Sequence, residues 1–450
     1  MTATRLSLRN ALSRHPIKTT ALSGMAVQFA RPVVSLATLP LLLAKLGQAG
    51  LGVWMIALSL MGLIGLLNSG LNISLVTLIG RANSNTGKRE LHRLVSAASV
   101  IAIGTATTVI LIFLPIVTIL DWGDLLDLSG NPTGDDVRNM MIILVLLMGF
   151  GMVASVPRQV MLGRMHGYLG NALEIVGVLA GAAALICALL LDAQLWLLAL
   201  AFLGPASVIL MLGGLLYLRR YRIPMLRYRN LSRKSLGQLA RDSVRMIGYH
   251  GAYTISSQSD IFLIGLILGA PASAVYGVAQ RVFSLPIMLA LSINRAQWPA
   301  LSRADAEGDM QSVSQMLRRT LLLVPLAATA IGVLTLLGYE PLLRFWLRSE
   351  LDTDLLLLLG MVVWVLVATI VNTFDSLLRA QNETAFLMRA MMIMAVVNIA
   401  ITLFLLPKMG AAGAIWGSAI AYIICLLIPY AVRLYPVLFP SGTRTPSANR

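Results

Sequence analysis

Residues 19–44 read TTALSGMAVQFARPVVSLATLPLLLA. At roughly 1.5 Å of helical rise per residue the stretch is long enough to cross a bilayer core of about 30 Å, and it holds a single charge, Arg31, near its middle. A guanidinium cannot shed its proton, and at the centre of a bilayer it costs about 2.5–3.5 kcal/mol on the insertion scale. The least costly arrangement is a water-filled cavity between helices, and a cavity lined with fixed positive charge implies an anionic ligand. A signal peptide is the competing reading, because Arg5, Arg9, Arg14 and Lys18 precede the stretch. Gln28, Arg31 and Pro32 interrupt it, and it runs too long for a cleaved segment, so it reads as a first permanent span.

Three further arginines lie within apolar stretches: Arg245, Arg281 and Arg295. Four such residues facing lipid would cost on the order of 10–14 kcal/mol. The whole chain is built for lipid, with 58% hydrophobic and 12% charged residues among 450 and a mean hydropathy of +0.82. These values place it with polytopic membrane proteins. The formal charge of +16 would suggest nucleic acid in a soluble chain. Here the basic residues gather between apolar spans, where they act as an orientation signal, and nucleic-acid binding is excluded. The two cysteines, Cys187 and Cys425, both fall in apolar spans and form neither a disulfide framework nor a metal spacing.

Hydropathy places spans at 19–44, 50–79, 94–120, 139–157, 169–191 and 195–218, then at 243–268, 276–301, 320–339, 355–378, 390–407 and 411–432. Spans of this length are helical. With the N-terminus in the cytoplasm, 26 of the 35 Lys and Arg fall inside and five outside (Lys45, Arg138, Arg344, Arg348, Lys408), while four lie in the membrane. That alternation supports twelve helices with both ends cytoplasmic. The expected fold is an all-α polytopic membrane protein of two pseudo-symmetric six-helix lobes: 1–218, then a basic cytoplasmic linker at 219–242, then 243–433, with a cytoplasmic tail at 434–450. The linker anchors the topology and also suits anionic headgroups. Leu46-Gly47 recurs as Leu268-Gly269, 222 residues later, each seven residues before an aromatic residue, Trp54 or Tyr276. A repeat of this kind implies two parallel bundles with a binding site between them. A third Gly-rich turn, 409–416, precedes the last span.

No phosphate-binding loop, zinc-protease helix or nucleophile elbow occurs, so the chain is read as a non-enzyme without cofactor or metal, driven by an ion gradient or by its cargo's own gradient. Gln28, Arg31, Ser35 and Thr38 share one helical face, as do Arg245, Tyr249, Tyr253, Ser256 and Asp260, and Arg281, Ser284, Ser292 and Arg295. Arg31, Arg245, Arg281, Arg295, Gln28, Tyr249 and Tyr253 are the candidate cavity residues. Snorkelling or helix anchoring competes with ligand binding at Arg245, Arg281 and Arg295. Glu174, Asp260 and Asp375 are intramembrane carboxylates that either pair statically with arginines or titrate and couple transport to H+ or Na+. His250 is a core histidine or a proton relay.

The stretches LPLLLAKLGQAGLGVWMIALSL into LNSGLN, SDIFLIGLILGAPASAVYGVAQRVFSLP, and LLRAQNETAFLMRAMM onward through LLPKMGAAGAIWGSAIAY carry a resemblance. They look like the multidrug/oligosaccharidyl-lipid/polysaccharide flippase superfamily, in its polysaccharide transporter branch. The resemblance implies V-shaped lobes that open to each side in turn and move a polyprenyl-diphosphate-linked glycan to the outer leaflet of the cell membrane. It also implies a cationic lumen that meets the diphosphate, and a polysaccharide polymerase or glycosyltransferases as partners. Many relatives have an acidic residue where this chain has Asn68. A cation-coupled multidrug exporter of the same fold is the alternative, although it favours an acidic or aromatic pocket. The lipid II flippase branch carries two more spans, and a channel or scaffold fits the repeat poorly.

Overall fold

A computed structural model describes residues 16–85, 87–128, 130–227, 231–348, 351–381 and 383–438 of the chain. Every regular element among them is helical. The first, α1 (Pro16–Asn85), is broken at Gly47, whose backbone turns to φ 66, ψ −175. Its apolar portion of 63 residues would measure about 95 Å as one rod, some three times the hydrocarbon core. The break therefore divides α1 into two crossings. Then follow α2 (Gly87–Ile119), the single turn α3 (Trp122–Leu125), α4 (Gly134–Gly163), α5 (Gly167–Leu190), α6 (Leu195–Arg220) and α7 (Arg233–Leu268). The remainder comprises α8 (Ala270–Ala306), α9 (Met310–Leu337), the short α10 (Tyr339–Trp346), α11 (Leu355–Ala380), α12 (Thr384–Met409), α13 (Ala412–Tyr422), a π-helical turn over Ile423–Leu427, and α14 (Ile428–Leu438).

Ten helices among the described residues are long and apolar enough to cross a membrane. Counting the broken first one as two, and adding the apolar end of α7, Thr254–Leu268, gives the twelve crossings expected from hydropathy. Residues 233–242, placed in the linker by sequence, are the opening turns of α7. Large apolar side chains stand exposed along the helices, Ile119, Leu190, Leu322, Val396 and Phe404 among them. In water such a coat would drive association, whereas in a bilayer it meets acyl chains.

The glycine repeat has a backbone cause. Gly269, between α7 and α8, adopts φ 83, ψ 169, the same corner of dihedral space as Gly47. That region is essentially closed to any residue with a Cβ, so each Leu-Gly pair marks a hairpin elbow. Gly410 makes a third, after α12. The aromatic residues that follow the first two elbows, Trp54 and Tyr276, are both buried. Several acidic residues of the polar loops act as caps. Asp121 accepts from the backbone amides that open α3, and Asp136 forms a reciprocal capping box with Thr133 at the start of α4.

The chain divides into two compact units, Met1–Gly251 and Ala252–Arg450, with the division inside α7. The first unit is centred on Leu75, Ile79, Val95, Val156, Val160 and Leu239. In the second, Phe283, Tyr339, Leu377 and Tyr430 are buried.

Candidate functional site

In the first unit a cavity of about 550 Å³ is lined from α1, α4, α5 and α6, by residues that include Arg31, Asn68, Asn72, Ser155, Arg158, Gln159 and Glu174. Its charged wall is a three-residue cluster. The Glu174 carboxylate, with its side chain only 4% exposed, is held by the Arg31 guanidinium and by Arg158 Nη2 at 2.5 Å. Arg158 also donates to Asn171 Oδ1 at 3.3 Å, and Asn171 in turn donates to the Thr20 carbonyl and to Ser23 Oγ. These bonds tie α4 and α5 to the first arm of α1. Two fixed cations against one anion leave an excess positive charge. The Arg31 side chain remains 62% exposed, so the pair with Glu174 does not bury it.

A neutral polar group shares the lining. Asn68 donates to Ser155 Oγ at 3.1 Å, and the Ser155 hydroxyl is 3.0 Å from Asn72 Oδ1.

The second unit holds a cavity of about 290 Å³, lined by Asp260, Tyr276, Gln280, Arg281, Asn372, Ser418 and others. Asp260 is buried and accepts from the Tyr276 hydroxyl at 3.0 Å and from Ser418 Oγ at 2.8 Å. Ser418 is fixed by Asn398, which donates to it at 2.7 Å. Asp260 Oδ1 has no hydrogen-bond partner, and among the described residues no cationic side chain pairs with this acid. Arg281 lines the same cavity without a carboxylate partner among the described residues. The π-helical turn of Ile423–Leu427 begins directly after Tyr422, another lining residue. Such turns re-aim the side chains on one face of a helix.

The candidate residues thus separate. Arg31 and Glu174 are in direct contact, while Arg281 and Asp260 share a cavity. Gln28 is half-buried one turn before Arg31. Arg295 is exposed on α8 and is not among the residues lining the second cavity. Asp375 is buried on α11 and pairs with Arg379 one turn later. The side chains of Arg245, Tyr249, Tyr253 and His250 lie outside the described residues. Sequence reasoning missed Arg158, because the fourth span was drawn to end at residue 157, whereas α4 continues to Gly163. A cation one residue past an assigned span end, beside Pro157, was the available signal. Tyr276 and Ser418 carried no sequence signal as partners of Asp260, since they are far apart along the chain.

A family model described as polysaccharide biosynthesis protein matches residues 18–305, and the MatE model matches residues 251–404. No curated protein matches the chain. Among solved structures, an inward-facing multidrug resistance MATE family transporter of the MOP superfamily superposes with a TM-score of 0.74 at 14% identity, over 93% of this chain and 96% of that one. The lipid II flippase MurJ in an inward closed conformation gives 0.68 at 15% identity, over 92% and 87%. A MOP superfamily transporter from Pyrococcus furiosus, described as having a binding pocket of reverse polarity, gives 0.55 at 14% identity, over 95% and 96%. At these identities the likeness is one of fold.

Proposed function

The chain belongs to the polysaccharide biosynthesis protein family, and we propose from that premise that it carries an anionic, polyprenyl-diphosphate-linked oligosaccharide across the cytoplasmic membrane by alternating access. The observation that supports this reading is the charge excess in the first unit: Arg31 and Arg158 share the single carboxylate of Glu174 at the wall of a 550 Å³ cavity. A guanidinium offers a planar fork of donors that matches phosphate oxygens, and its charge persists at any physiological pH. Asn68, Asn72, Ser155 and Gln159, on the same wall, suit the hydroxyls of a sugar. Arg281 of the second unit, with Arg245, Arg295, Gln28, Tyr249 and Tyr253, completes the proposed cargo-binding set. The termini face the cytoplasm in this scheme, 1–218 and 243–433 act as the two lobes, and a polymerase or glycosyltransferases supply and consume the cargo.

The test is complementation of a strain lacking its lipid-linked glycan flippase, with labelling of glycan at the outer face. Arg31→Ala is expected to lower outer-face glycan about tenfold or more, as loss of a charge-assisted bond to phosphate would, at unchanged protein level. Silence of Arg31→Ala, Arg281→Ala and Arg295→Ala together would remove the charged-cavity mechanism.

Asp260 favours a second reading, cation-coupled export of the multidrug type. A carboxylate buried without a cationic partner either keeps its proton or takes up a cation. The same acid serves as the coupling group in the flippase reading, with H+ or Na+ as the coupled ion. Asp260→Asn is expected to make transport indifferent to collapse of the proton or sodium gradient. Asp375→Asn, whose carboxylate is engaged by Arg379, is measured beside it. A gradient dependence that survives both changes eliminates coupling through these acids. Export of organic cations in place of glycan by the unaltered chain selects the second reading.

A further inference from the structure

A cluster of one cation and three aromatic rings lies where α4, α5 and α6 meet, and none of its residues lines either cavity. It gathers Arg164 at the end of α4, His166 before α5, and Tyr217 and Tyr221 at the end of α6. The Arg164 guanidinium lies 4.5 Å from the centre of the Tyr221 ring and 5.8 Å from that of Tyr217. Its Nη1 donates to the Tyr217 hydroxyl at 3.3 Å, and that hydroxyl is 2.7 Å from His166 Nδ1. The arrangement satisfying all three groups has the phenol oxygen accepting from Arg164 while its proton goes to Nδ1. Burial, and then the neighbouring Arg164 charge, hold His166 below its usual pKa, which keeps the imidazole neutral and suits it to accept that proton. The His166 ring also lies 5.5 Å from Tyr221. The guanidinium is thereby fixed on one face and on one donor, and among the described residues the rest of its fork meets no protein acceptor.

Two features around the cluster indicate what that fork meets. No carboxylate pairs with Arg164 among the described residues, and Tyr221 is flanked in the chain by Arg219, Arg220 and Arg222, all exposed. Exposed apolar side chains surround the same helix ends: Met165, Leu169 and Leu216. Met165 and Arg222 occupy the left-handed elbows that end α4 and α6, at φ 61 and φ 53, a conformation that residues with a Cβ seldom adopt. Both helices therefore stop at the margin of their apolar spans, in tight turns carrying an apolar side chain and a cation. Tyrosines with cations and apolar tips at the ends of spans are the chemistry of the headgroup layer.

We propose that this cluster is a binding site for the phosphate of an anionic phospholipid, with Arg164 as its central ligand, the Tyr217–Tyr221–His166 rings as the platform that orients it, and Arg222 as a second cation. The site is independent of the cargo and of either transport reading.

The test uses the full chain in vesicles of equal parts phosphatidylglycerol and phosphatidylethanolamine, recovered in polymer-bounded discs so that retained lipid can be quantified. The unaltered chain is expected to retain phosphatidylglycerol selectively. Arg164→Gln should lower that selectivity about tenfold, the worth of one charge-assisted bond, and Arg222→Gln should lower it less. Tyr221→Leu leaves every charge in place and should also weaken retention, so it carries the test if Arg164→Gln does not yield a monodisperse protein. Arg233→Gln, an exposed cation at the start of α7, should leave retention unchanged. Equal retention by the unaltered chain and by Arg164→Gln and Tyr221→Leu overturns the proposal. So does a loss in Arg233→Gln as large as that in Arg164→Gln, which would mean diffuse attraction by the basic linker. Displacement of the lipid by inorganic phosphate at millimolar concentration would make the ligand free phosphate and would equally overturn it.

Discussion

Replacing Glu174 by alanine is expected to destabilise the first unit by about 3 kcal/mol, the lower end of what removing one partner from a buried ion pair costs. The figure rests on Arg158, whose side chain is 23% exposed and whose Nε is buried without a partner. Arg31 adds little, because its guanidinium is largely exposed and water screens it. Without the carboxylate, the guanidiniums of Arg31 and Arg158 lose their shared partner, and among the described residues Arg158 keeps only Asn171 as an acceptor. A thermal unfolding midpoint measured in detergent reads the loss. The pairwise origin is separated by a double substitution: Glu174→Gln with Arg158→Gln should recover most of the lost stability, since neither an unpaired cation nor an unpaired anion then stays buried. If Glu174→Ala unfolds at the same temperature as the unaltered chain, the cluster is not holding α1, α4 and α5 together.

The second large effect is expected at the elbows. Gly269→Val should destabilise the second unit by about 3 kcal/mol, because φ 83 with ψ 169 is open essentially to glycine alone and β-branching adds to the strain. Gly47→Ala, in the first unit, should cost about 1–3 kcal/mol by the same argument. No heavy atom lies within 4 Å of where a Cβ would stand on Gly47, so the cost there is conformational and not a clash. The two substitutions fall in different compact units, and their effects on unfolding should add. A Gly47→Ala chain as stable as the original would mean the elbow relaxes without penalty.

Much of the architecture was legible in the chain because the bilayer is a demanding solvent. Apolar runs of span length admit helix and little else, and the alternation of Lys and Arg between loops counted the crossings. The elbow at Gly47 was legible for a different reason: a Leu-Gly pair recurring at the same place in two halves betrayed a backbone need that only glycine meets. The sites were less legible. Arg31 announced itself by its cost in lipid, but its partner could not be read, since Glu174 lies on another helix and nothing in spacing joins them. Arg158 was hidden by a boundary error, as hydropathy ends a span where charge begins although the helix continues. Asp260 was flagged as intramembrane, yet its hydroxyl partners, Tyr276 and Ser418, are neutral residues whose meeting depends on how α7, α8 and α13 pack.

A hairpin closed by a single glycine offers nothing for a protease, an antibody or an inserted epitope to grasp. The turns at Gly47, Gly269 and Gly410 are of this kind, so reagents added from solution find little to grip there. Residues 120–128 and 351–354 belong to longer connections. A reporter introduced there would disclose which side of the bilayer it occupies, whereas one placed at 47, 269 or 410 would wreck the crossing it was meant to map.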